Sequence, residues 1–82
     1  MERHYALKLD LEETMDETVA IAHLSLWGDT FEARGKAMRN PSDPSIPVIG
    51  EELAIARSLA ELSAQMLEAA QAKISQHSAV TG

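Results

Sequence analysis

The chain has 82 residues, 13 acidic and 7 basic side chains, a formal charge of −6 and no cysteine. That length holds one small domain, and the missing thiols exclude disulfide staples and thiolate metal sites. The 45% hydrophobic content suffices for a core, while no apolar stretch approaches the ~18 residues that a membrane-spanning helix needs.

Met1-Glu2-Arg3-His4-Tyr5 carry no signal-peptide core, so a cytoplasmic protein is expected. One domain is expected over 1–82, ordered over about 4–77. A domain this short buries only about 60% of its unfolded surface and is marginal alone. Without disulfides or metal, sharing a core with another chain is the usual remedy.

Residues 4–12 alternate, with Tyr5, Leu7, Leu9 and Leu11 on one face and Ala6, Lys8 and Asp10 on the other. A period of two predicts a half-buried strand. Glu12-Glu13-Thr14-Met15-Asp16-Glu17 follows as an acidic, solvated turn. Residues 18–27 predict a second strand, with Ala20, Ala22, Leu24 and Leu26 on one face. Its other face carries Val19, Ile21, His23, Ser25 and Trp27. Gly28-Asp29 predicts a hairpin turn.

Residues 30–39 predict a third strand, with Phe31, Ala33, Gly35 and Ala37 turned inward. A glycine within a strand marks close approach by another backbone, here a helix crossing near Gly35. Residues 40–47 hold all three prolines and predict a non-helical connector. Residues 48–77 predict one long helix. Ile49, Leu53, Ala56, Ala60, Leu67, Ala70 and Ile74 form one apolar stripe; Ile55, Leu59, Leu62 and Met66 form a second beside it. Glu51 and Glu52 fall in the expected first turn, where the helix dipole favours anions. The fold class is therefore α+β: a three-stranded antiparallel meander followed by one helix, β-β-β-α.

This helix offers a wider apolar arc than one face of such a sheet covers, and the second strand carries apolar residues on its outer face. A homodimer or another partner is expected, with Val19, Ile21, Trp27, Leu62 and Met66 as candidate interface residues. The sequence leaves open whether such a dimer pairs by helices, by sheets or by exchanged strands.

No catalytic constellation is present in the pattern. His4, His23 and His77 have no metal-ligand spacing, no Gly-x-Ser-x-Gly elbow occurs, and Gly35-Lys36 lacks a P-loop's upstream glycine. The acidic turn lacks the spacing and mid-loop glycine of a calcium loop. The chain is too short to build much of a pocket. No enzyme activity, metal, cofactor or small-molecule substrate is expected.

Residues 33–57 hold 4 bases against 3 acids, in a chain otherwise dominated by acids. Arg34 and Lys36 share the outward face of the third strand and Arg39 ends it, a modest cationic patch able to touch phosphate. The competing reading pairs these cations with Asp10, Glu32 and their neighbours, and the whole-chain charge repels a polyanion.

The block from Asn40 to Leu62 carries Asn40-Pro41-Ser42-Asp43, Ile49-Gly50-Glu51-Glu52-Leu53 and Ala56-Arg57-Ser58-Leu59, preceded by Gly35-Lys36-Ala37 and by small residues at Thr18, Ala20 and Ala22. In that order it resembles the signature of a family of small actinobacterial proteins with a fold like the double-stranded-RNA-binding domain. The resemblance implies a three-stranded sheet, a long C-terminal helix and a homodimer. It also implies a stress- or dormancy-associated role, by comparison with ribosome hibernation-promoting factors, and so a ribosome or ribonucleoprotein partner.

The residues argue against standard duplex binding. Only Met1-Glu2-Arg3 precede the first strand, where that domain places an RNA-contacting helix. The loop that would enter a minor groove is the acidic turn, and the last helix opens with Glu51-Glu52 rather than lysines. The motif residues also have structural roles to fill. Asn40 and Asp43 are suited to hold the connector, Pro41 to stiffen it, Gly50 to admit the helix start, and Arg57 to reach an acid or the connector. An acidic protein–protein adaptor with no nucleic-acid role is the alternative function.

Overall fold

The computed structural model has the expected order: β1 (Leu7–Glu13), β2 (Glu17–Leu26), β3 (Asp29–Met38) and α1 (Pro47–Val80). It describes residues 1–40, 42 and 46–80, and for 78–80 the backbone alone. The strands form one sheet in the order β1-β2-β3, both pairs antiparallel. α1 lies across one face of it.

Register fixes the two faces. Leu7, Leu9 and Leu11 stand opposite Leu24, Ala22 and Ala20, which in turn face Phe31, Ala33 and Gly35. Directly opposed residues point the same way, so all of these share the helix side. The boundaries differ from expectation by one to three residues, β1 starting at Leu7 rather than at residue 4. Glu12 and Glu13 belong to β1 rather than to the turn, paired with Val19 and Thr18. The turn is shorter because the Thr14 hydroxyl closes it, accepting from the Asp16 and Glu17 amides at 3.3 and 3.2 Å.

Trp27 is likewise displaced from the outer strand face. Leu26 pairs with Asp29, so the two-residue hairpin loop is Trp27-Gly28. Both have positive φ, 51° and 84°, as a primed hairpin turn requires. The Trp27 ring stands exposed, with the Arg3 guanidinium 4.6 Å from its centroid.

α1 begins at Pro47, where proline's missing N–H costs nothing. That is one residue earlier than expected, so Gly50 closes the first turn and Glu51 and Glu52 fall just past it. The Gly50 requirement is proximity: a Cβ there would sit 2.9 Å from the Thr18 hydroxyl oxygen.

The crossing expected at Gly35 is present. A Cβ on Gly35 would overlap the Ala54 carbonyl oxygen and the Ser58 amide nitrogen of α1. Backbone meets backbone there, and only small residues surround the contact. Ala20, Ala22, Ala33, Ala37, Ala54 and Leu62 are the buried hydrophobics, with Thr18 and Ser58 buried beside them. The Ser58 hydroxyl donates to the Ile55 carbonyl at 2.7 Å and so enters the core satisfied. Leu62 is the one large side chain in that set, so its assignment to a partner interface is overturned: it packs on Ala22 and Ala33 in this chain's own core. Met66 is half-buried against the same cluster.

The two glycines should respond differently to alanine. Gly35→Ala pushes against backbone and is expected to lower the unfolding free energy by about 3 kcal/mol. Gly50→Ala meets a hydroxyl that can rotate, gains helix propensity, and is expected to stay within about 1 kcal/mol of the parent. Urea denaturation of both variants checks this; equal midpoints would contradict the backbone contact.

Candidate interaction surfaces

The outer sheet face carries three cross-strand rows: Lys8–His23–Glu32, Asp10–Ile21–Arg34 and Glu12–Val19–Lys36. Alternation along each strand puts acids and bases side by side. Lys36 Nζ lies 3.0 Å from a Glu17 carboxylate oxygen and Lys8 Nζ 3.8 Å from Asp10. His23 sits between Asp10 and Glu32, its ring nitrogens 3.1 and 3.6 Å from their carboxylates. Arg34 and Arg39 form no ion pair among the described residues. Of the three expected cations, one is thus neutralised by a neighbour and two remain open. Val19 and Ile21 lie half-buried at the centre of this mosaic.

The helix side divides differently. Arg57 Nη1 donates to the Lys36 carbonyl at 2.7 Å and Gln65 Nε2 to the Glu32 carbonyl at 3.0 Å. Both acceptors belong to the free edge of β3, so this polar flank of α1 seals that edge. Among the described residues Arg57 reaches neither an acid nor the connector, the two partners that the sequence had suggested. The opposite flank looks over β1, where Met66 and Leu9 join one cluster. α1 packs on β3 and β2 and scarcely touches β1. Leu7, Leu11 and Tyr5 are consequently exposed, at 43, 37 and 51%.

The stripes on α1 also exchange roles. Leu62 and Met66, of the second stripe, meet the sheet, whereas Ile49, Leu53, Leu67 and Ile74 stand on the far side, 44–64% exposed. Sequence reasoning missed these as interface residues because the more apolar stripe reads as the one that meets the sheet.

Asn40 performs its expected role: its side-chain oxygen accepts from the Ser42 amide at 3.1 Å and the Ser42 hydroxyl at 2.9 Å. Pro41 and Asp43 lie outside the described residues. The expectation that the chain forms little pocket needs correction. An open hollow of about 520 Å³ lies between the β1–β2 turn and the start of α1, bordered by Met15, Arg39, Ile49 and Leu53, with Glu13 and Glu17 on its wall. No cluster of three metal-ligating side chains occurs among the described residues. No described helix is long and apolar enough to cross a membrane.

A sheet closed on one side by a single helix, with the Asn-Pro segment between them, defines a class already populated in mycobacteria. The model of the Rv2632c-like family matches residues 3–81, and the chain belongs to that family. It is 39% identical over 74 residues to "Uncharacterized protein Rv2632c" of Mycobacterium tuberculosis, covering 88% of this chain and 80% of that one. It is 33% identical over 66 residues to "Uncharacterized protein Mb1767" of Mycobacterium bovis, covering 80% and 70%. The crystal structure of Rv2632c superposes with a TM-score of 0.88 at 31% identity, over 94% of this chain and 92% of that chain.

The motif arginine is structural by this geometry. Arg57→Met keeps the aliphatic stem but strips the donor from the Lys36 carbonyl, and is expected to cost about 1 kcal/mol. Urea denaturation checks it, with circular dichroism expected to show unchanged helix content; an unshifted midpoint would mean that water replaces the guanidinium without loss.

Proposed function

We propose that the protein is a non-catalytic, dimeric binding protein that engages a macromolecule through the outer face of its sheet. The observation that carries this reading is the mosaic itself: half-buried Val19 and Ile21 framed by Asp10, His23, Glu32, Arg34 and Lys36. A flat face of that kind suits a partner that presents both charges and some apolar surface. A ribosome or another ribonucleoprotein presents both phosphate and protein. The resemblance to hibernation-promoting factors and to the double-stranded-RNA-binding fold makes the ribosome the first partner to examine, in a stress or dormancy setting. Arg34, open on this face, and Arg39, past the end of β3 at the border of the hollow, are the groups that would meet phosphate.

The Lys36–Glu17 pair favours a second reading. With Lys36 neutralised and a net charge of −6, the same face fits a basic protein surface, making the molecule an acidic adaptor.

The dimer belongs to both readings. The fully buried residues are one leucine and otherwise small side chains, with Ile55, Leu24, Phe31 and Met66 only half-buried against them, and small side chains contribute much less burial energy than large ones.

Co-sedimentation with ribosomes at low and near-physiological salt separates the readings. Binding that persists at the higher salt is expected, and Arg34→Ala with Arg39→Ala together should weaken it and reduce the slope of log affinity against log salt by roughly 2. Absence of binding at either salt would overturn the ribosome reading and leave the adaptor; an unchanged slope would remove both arginines from the contact.

A further inference from the structure

The Trp27-Gly28 turn carries a cost that the fold does not need. Trp27 has a φ of 51°, a conformation that asparagine or glycine adopts readily and a bulky residue does not. Burial of the indole does not offset this, since Trp27 is 75% exposed. A strained residue whose side chain stands in water points to a task outside the fold.

Beside the indole lies an open hollow of about 420 Å³, on the helix side of the sheet. Phe31, Met66 and Ala70 line it together with Trp27, and Asp29 and Lys73 stand in its wall. Lys73 Nζ is 2.7 Å from an Asp29 carboxylate oxygen. The Arg3 guanidinium stands over one face of the indole, 4.6 Å from the ring centroid. The ring has two faces, so one remains for a further planar group. We propose that this hollow takes an unpaired base of a single-stranded nucleic acid. The base stacks on the Trp27 indole, its edge meets Lys73 and Asp29, and Arg3 meets the flanking phosphate. The site is away from the outer sheet face and does not rest on the reading of that face.

Three features select this occupant. The first is shape. Every base has a flat face to lay on an indole, and only an unpaired strand leaves that face uncovered. The second is the charged pair. An apolar side chain entering the hollow would strip water from Lys73 and Asp29 and give no hydrogen bond in return. The edge of a base carries both donors and acceptors, so the ammonium and the carboxylate each find a partner. The third is the distribution of charge. Arg3, Lys8 and Lys73 stand at this end of the molecule against Glu2, Asp29, Glu32 and Glu68, an excess of one acid in a chain of net charge −6. The acidic excess lies at the far end, around the β1–β2 turn and the start of α1. A phosphate backbone is therefore repelled least beside Trp27.

Trp27 is the chain's one tryptophan, so its fluorescence reports on this site alone. Single strands of about ten adenylates or uridylates, titrated at ~20 mM salt, should quench it, adenylate the more strongly because larger bases stack better. Anisotropy of the same strands carrying fluorescein reads binding where the indole is absent. Trp27→Asn should weaken binding at least ~10-fold while its urea midpoint holds or rises, because Asn-Gly is the favoured turn. Arg3→Ala should also weaken binding and reduce the slope of log affinity against log salt by about 0.7. Arg34→Ala with Arg39→Ala should leave the quenching unchanged, which separates this site from the outer face. No quenching by either strand overturns the proposal, as does a Trp27→Asn chain that binds with unchanged affinity. Adenosine monophosphate binding as tightly as the strand would overturn the strand as occupant, and quenching only by a peptide of leucine and lysine would give the hollow to a protein partner instead.

Discussion

The contact of α1 with Gly35 sets the terms for everything else. Because backbone meets backbone there, the helix sits low on the sheet and only alanine, serine and threonine fit around the crossing. Close approach maximises dispersion contacts per atom but removes the large side chains that supply most burial energy. It also fixes α1 laterally over β3 and β2, since a glycine lies on β3 alone. β1 is left largely beyond the helix as a direct result, with Leu9 half-buried at its margin and Leu7 and Leu11 exposed. The bare leucine shelf is therefore a consequence of where the glycine stands, rather than a separate feature of β1.

Lateral placement also explains the polar flank of α1. A helix displaced toward β3 brings Arg57 and Gln65 to that strand's free carbonyls, and both bond them. The motif Ala56-Arg57-Ser58 thus serves the crossing twice over. Ser58 supplies the small buried group beneath the helix, and Arg57 ties the same turn to the strand edge. Gly35-Lys36 supplies the two matching groups, the missing side chain and the accepting carbonyl. Four residues in two short segments form one joint.

The sheet was legible from the sequence because alternation survives in all three strands, and Gly35 announced its crossing. The orientation of α1 was not legible. Its sheet-facing line runs through Ala54, Ser58, Leu62 and Gln65, a mixture that carries almost no hydrophobic signal. The strongest apolar stripe faces away from the sheet, so ranking stripes by hydrophobicity selects the wrong one as the core. The Trp27-Gly28 turn was hidden for another reason. A tryptophan at positive φ is disfavoured, and Gly28-Asp29 looked the better loop, but pairing of Leu26 with Asp29 sets the register. Among the outer-face cations, the pattern placed Arg34 and Lys36 together correctly. Pairing of Lys36 with Glu17 depended on the β2–β3 register, which a one-residue shift in turn position would have changed.

The two edges of the sheet are protected by different means. On β3 the helix itself consumes edge carbonyls. On β1 the edge is open but carries Lys8, Asp10, Glu12 and Glu13 along seven residues. Antiparallel pairing of β1 with a second β1 about Asp10 would place Asp10 against Asp10 and Lys8 against Glu12, a mixed and weakly favourable row on the outer face. Charged residues on an exposed strand are a common guard against edge-to-edge growth. The same pairing would extend the bare leucine shelf to twice its width without covering it. Edge association therefore leaves the larger apolar surface in water, whereas association through the shelf removes it.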